Sequence, residues 1–156
     1  MGHEQHMRRA IALSREKMRE DEGGPFAAVI VKGGTAVAEG WNQVTGHNDP
    51  TAHAEIVAIR EACRSLGTYS LEGCFIYSSC EPCPICLAAI HWARIEHIYY
   101  ANTSEDAAAV GFDDARLYRE FALPSEDRTL PSERLLADEA LAVFREWAAD
   151  PDRVSY

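Results

Sequence analysis

Pro50-Thr51-Ala52-His53-Ala54-Glu55 and Ser79-Cys80-Glu81-Pro82-Cys83-Pro84-Ile85-Cys86 each read as the opening of a helix. In the first run Asp49 or Thr51 can cap, Pro50 suits an opening turn, and good helix formers continue to Leu66. In the second, the apolar segment Cys74-Phe75-Ile76-Tyr77 reads as a buried strand. A helix then begins around Pro82 to Pro84, where the missing proline N–H costs nothing. The resulting order is helix from Thr51 to Leu66, strand from Cys74 to Ser78, helix from Pro82 to Trp92 and strand from Ile95 to Ala101. Alternation of this kind with short links predicts an α/β architecture, a sheet sandwiched between helices.

Upstream, Met7, Ala10, Ile11, Ser14 and Met18 share one helical face between Gln5 and Glu20, and Gly23-Gly24 is the expected stop. Phe26-Ala27-Ala28-Val29-Ile30-Val31 is apolar and of strand length; Gly33-Gly34 is a two-residue turn, and Thr35 to Trp41 returns as the partner strand. That hairpin brings Phe26 and Asn42 to one end of the sheet, as candidates to line a pocket. Downstream, Asn102 to Gly111 reads as a loop or an irregular helix start, Leu123 to Pro131 as an exposed connection, and Arg134 to Leu136 as a short last strand. A final helix is expected from Asp138 to Ala149, with Leu141, Phe144 and Trp147 at near-helical spacing and Pro151 as its stop.

The chemistry lies at the two predicted helix tips. Cys83 and Cys86, three residues apart on one turn, can turn both sulfurs to a single ion. A helix N-terminus favours the thiolate that a metal requires. With His53 they make one imidazole and two thiols, the donor set of an open zinc site whose fourth position is left for water. Glu55, about 200° round the helix from His53, is poorly placed as a ligand on the same face but long enough to take a proton from that water. The competing reading is a closed structural site with Cys80 as fourth ligand. Cys80 belongs to the strand end, before the turn that aligns the other two, and suits a small buried residue. A purely structural site would have no use for Glu55. Disulfides are not expected from five cysteines in a chain with no export signal.

Composition narrows the partners. The net charge is -10, and only Lys17 and Lys32 are lysines, so the surface repels polyanions and favours a small substrate over tRNA or DNA. No apolar run has the roughly 18 residues of a membrane span. The length suits a single domain, residues 1–156, and the expected location is the cytoplasm.

His-x-Glu together with Pro-Cys-x-x-Cys is the signature of zinc nucleobase deaminases. From about Gln5 onward the chain resembles the cytidine-deaminase superfamily, most closely its bacterial guanine deaminases. The likeness rests on Gly23-Gly24-Pro25-Phe26, Asn42, the run from Asn48 to Glu55, Ser79 to Cys86, Gly111-Phe112-Asp113-Asp114 and a chain ending in Tyr156. The resemblance implies a three-layer α/β/α sandwich with a mixed central sheet and one zinc per chain, held by His53, Cys83 and Cys86. It implies Glu55 as proton shuttle and Asp114 as the acid that assists the departing amine. Asp113 and Asp114 would otherwise read as a helix cap and a solvated neighbour. Asn42 would read the purine edge rather than serve as a turn residue, and Phe26 would stack on the base rather than pack in the core. It further implies a homodimer whose C-terminal segment, from about 123 to 156, is exchanged, so that Tyr156 closes over the neighbouring site and Trp92 lies near it. The implied reaction is guanine to xanthine and ammonia. A guanosine deaminase shares the Gly-Phe-Asp-Asp motif. A tRNA adenosine deaminase shares the run from Asp49 to Ile56 but sits badly with the acidic charge. A zinc-stabilised interaction module would keep the fold without the chemistry.

Overall fold

A computed structural model describes residues 2–156. The chain divides into two units, Met1–Ala115 and Arg116–Tyr156. The first holds α1 (His3–Arg19), β1 (Ala27–Lys32), β2 (Thr35–Trp41), α2 (Val44–His47), α3 (Ala54–Leu66), β3 (Cys74–Cys80), α4 (Pro84–Trp92), β4 (His97–Asn102) and α5 (Ser104–Ala109). Its sheet runs β2-β1-β3-β4, with β1 antiparallel to both neighbours and β3 parallel to β4. The predicted mixed sheet between helices is therefore present.

Strand alternation divides the core in two. Ala28, Ile30, Cys74 and Ile76 face one side, where Ala54, Ala58 and Ala62 of α3 and Ile90 of α4 pack on them. Val29, Val31 and Tyr77 face the other side, against Ala10 of α1. The alanines recur every fourth residue, so α3 presents a stripe without bulk and its backbone comes close to the sheet. At Gly40 of β2 the approach is closest: a Cβ there would lie 2.4 Å from the Ala54 carbonyl oxygen and 2.4 Å from the Ala58 nitrogen. The β1–β2 turn uses Gly33 and Gly34 at φ 56° and 81°, as the two-residue hairpin requires.

Four expectations are corrected. The buried stripe of α1 is His6, Ala10 and Leu13 with Met7 beside it, while Ile11 and Met18 are exposed; packing across β1 and β3 selects this face, which the scattered apolar residues left ambiguous. That helix ends at Arg19, and Asp21, not a glycine, takes the left-handed conformation with φ 58°. Helix α3 begins at Ala54 rather than Thr51, because the Asp49 carboxylate accepts from the Thr51 N–H at 2.8 Å and its hydroxyl at 2.7 Å, closing a separate turn. Residues 134–136 form no strand; Leu136 instead takes φ 49° as the N-cap of the last helix.

The second unit continues α6 (Asp114–Ala122), passes a 3₁₀ turn at Ser125–Asp127 and ends in α7 (Ala137–Ala149). None of α7 is buried, although Leu141, Phe144 and Trp147 lie on it.

Candidate active site

His53 is the N-cap of α3 and Cys83 the N-cap of α4; Pro84 takes the first helical position and Cys86 the third. Strand β3 delivers α4 and the β2–α3 connection delivers α3, so two helix N-termini meet at one end of the sheet. There His53 Nδ1 lies 3.4 Å from Cys83 Sγ and 3.4 Å from Cys86 Sγ, and the sulfurs are 3.6 Å apart. A tetrahedral zinc with bonds of about 2.3 Å to sulfur and 2.0–2.1 Å to nitrogen needs edges of about 3.8 Å and 3.5 Å. The three donors fit that ion in type and spacing. Among the described residues no fourth His, Cys, Asp or Glu joins the group. Cys80 stays apart, its thiol directed to the Thr103 carbonyl at 3.7 Å and pushed up to about 11 by burial.

The donors are electrostatically coupled. The hydrogen bond shared with Cys86 pushes the Cys83 thiol down to about 4, and the same bond pushes Cys86 up. His53 is raised chiefly by its hydrogen bond with Cys83. A divalent cation bound by these three donors would displace the protons that remain on them, as metal binding to thiol and imidazole does generally.

Glu55, 6% exposed, accepts a hydrogen bond from Ser78 Oγ at 2.8 Å. Burial raises its carboxyl above the ordinary range. Above the donors lies a cavity of about 290 Å³, the small end of small-molecule sites. Phe26, Asn42, His53, Glu55, Cys83, Cys86 and Asp114 all border it, so seven of the sequence-predicted residues converge. Asp114 opens α6 on the cavity side, its carboxyl raised chiefly by burial. Trp92 does not border the cavity; it is 67% exposed at the end of α4. Tyr156 belongs to the second unit and is exposed.

Three site residues escaped the sequence reading. Phe112 meets Phe26 edge-on, ring centroids 4.8 Å apart at 85°, and forms a second aromatic wall. Glu81 borders the cavity while accepting from the Ser104 N–H at 2.9 Å, which ties the metal loop to α5. Ser78 holds Glu55; its signal was a hydroxyl at the end of an otherwise apolar strand.

Residues 1–102 match the family description "Cytidine and deoxycytidylate deaminase zinc-binding region". The chain belongs to this zinc-binding deaminase family. This deaminase is 49% identical over 156 residues to guanine deaminase of Bacillus subtilis (strain 168), covering 100% of each chain. It is 44% identical over 103 residues to tRNA-specific adenosine deaminase of Aquifex aeolicus, 65% of this chain and 66% of that one. Among solved structures, guanine deaminase from Bacillus subtilis superposes with a TM-score of 0.97 over 100% of this chain and 99% of the other. Guanine deaminase from Nitrosomonas europaea gives 0.69 at 30% identity, covering 96% and 86%.

Proposed function

We propose that this deaminase hydrolyses guanine to xanthine and ammonia, with one zinc ion per chain. The observation that carries the reading is the extent of the likeness. Guanine deaminase of Bacillus subtilis is matched from end to end, whereas the Aquifex tRNA-specific adenosine deaminase is matched over 65% of the chain. The family description itself ends at residue 102, before Phe112 and Asp114. A net charge of -10 also disfavours a polyanionic substrate.

His53, Cys83 and Cys86 hold the zinc. When bound, it supplies the Lewis acidity that makes hydroxide available near neutral pH. Glu55 takes the proton of the attacking water and returns it to the ring nitrogen beside the purine C2, with Ser78 orienting its carboxyl. Asp114, whose partly buried carboxyl retains a proton more readily than a fully solvated one, gives it to the departing amine. Phe26 and Phe112, meeting edge-on, give the flat base two adjoining aromatic walls, and Asn42 reads its edge.

We further infer one functional domain per chain, acting as a homodimer in which residues from about 123 to 156 are exchanged. Tyr156 then closes over the neighbouring cavity and Trp92 borders it. The support is exposed apolar surface: Phe144 is 75% and Trp147 49% exposed on α7, and Ile85 and Trp92 are exposed on α4. A cytoplasmic location suits five cysteines, none of which is in a disulfide.

The test is ammonia release from guanine, guanosine, adenine, cytosine and a tRNA anticodon stem-loop. Guanine is the expected substrate. Turnover of the stem-loop with none of guanine overturns the reading.

A further inference from the structure

The loop between α1 and β1 closes directly on Asn42, and it does so because residue 23 has no side chain. A Cβ at Gly23 would lie 2.1 Å from the Asn42 carbonyl oxygen, 2.7 Å from its carbonyl carbon and 2.7 Å from its Oδ1. Gly23 is not among the positive-φ residues, so contact and not backbone torsion demands glycine here. The same loop sends the Gly24 N–H to Asn42 Oδ1 at 3.1 Å, and the Val44 N–H reaches that oxygen from the other side at 3.2 Å. Only an acceptor can sit between two N–H donors, which assigns the amide orientation. Both lone pairs of the oxygen are then engaged. What Asn42, 9% exposed and bordering the cavity, has left to offer is its NH2 group.

We propose that Gly23 is a positioning residue for substrate recognition: by letting its loop close on Asn42, it holds that amide in a donor-only presentation, so the cavity takes a hydrogen-bond acceptor of the purine at this point and rejects a donor. The proposal rests on the reading of Asn42 as a substrate contact. It assigns Gly23 no contact with the substrate; its effect passes through the amide.

A double-mutant cycle tests it, using the zinc-loaded full chain with Gly23→Ala, Asn42→Ala and the two combined. Gly23→Ala is expected to keep one zinc per chain and to raise the guanine KM by about 10-fold or more with a smaller change in kcat, as loss of a binding contact does. On the Asn42→Ala background the same substitution should change kcat/KM by less than about 2-fold, because the amide through which it acts is gone. An equal loss in both backgrounds, or no loss in the first, overturns the proposal. Asn42→Asp gives a second arm that holds even where Gly23→Ala does not fold. Its carboxylate still accepts from Gly24 and Val44 but offers no donor, and kcat/KM should fall about 100-fold or more with zinc retained. Guanine kcat/KM within about 3-fold of the unmodified chain would overturn the donor-only presentation. The unmodified chain separates the two failures: if it releases no ammonia from guanine, the functional reading falls, and the cycle is run on the base it does turn over.

Discussion

Gly40→Ala should disable the metal site from the far side of a helix. The added Cβ would start 2.4 Å from the Ala54 carbonyl oxygen and 2.4 Å from the Ala58 nitrogen, both backbone atoms that no rotamer change can withdraw. Contacts of this kind are essentially never below 3.0 Å, so the first turns of α3 must recede by at least about 0.6 Å. That turn begins at His53 and carries Glu55, while Cys83 and Cys86 stand on α4 and do not move with it. Metal ligands tolerate about 0.2 Å of error. The displacement exceeds that by a factor of about three, so zinc should be lost on dialysis against a mild chelator under which the unmodified chain keeps it. Overpacking of this size also costs about 1–3 kcal/mol. The assays are zinc per chain after dialysis and the urea midpoint of the metal-free protein. Full zinc retention with an unchanged midpoint would refute the close packing of α3 on β2 and the argument built on it.

Glu55→Gln should retain zinc and lose about 10²–10⁴ in kcat, the usual worth of a positioned proton carrier; survival of turnover would remove Glu55 from that role. Cys83→Ala should release the metal, whereas Cys80→Ala should leave zinc content near one per chain, measured by metal analysis on the purified variants. His6 is 3% exposed with Nε2 lacking any partner, so His6→Leu should raise stability by about 1 kcal/mol in urea unfolding. The Glu39 carboxylate lies below its ordinary value of 4.5, chiefly through its hydrogen bond from Arg9, so its contribution is complete above pH 4.5 and disappears as pH falls through the lower folded value. With both side chains partly solvated the difference between the unmodified chain and Glu39→Gln should be about 0.5 kcal/mol at pH 7, vanishing in strong acid.

Much of this arrangement was legible in residue order. Helix tips announce themselves locally, through Pro84 and the runs that follow His53 and Cys83, and a three-residue interval on a turn dictates that two sulfurs face one point. The apolar strand ahead of Cys80 and the glycine turn at 33–34 are likewise short-range signals, so the α/β alternation and the donor set could be read directly. Other features depend on what each segment meets. The face of α1 that is buried follows from the sheet it crosses. Asp49 delays the start of α3 by closing its own turn. Gly23 and Gly40 are glycine because a distant backbone passes within contact distance, which no neighbour in sequence records. Phe112 becomes a wall only once its ring meets Phe26 edge-on, and a strand at 134–136 does not form where no ladder takes its N–H and C=O groups. Torsional preferences and side-chain spacing act over a few residues and leave their mark in the sequence. Steric approach and hydrogen-bond satisfaction act between segments far apart in the chain, so only the tertiary structure decides them.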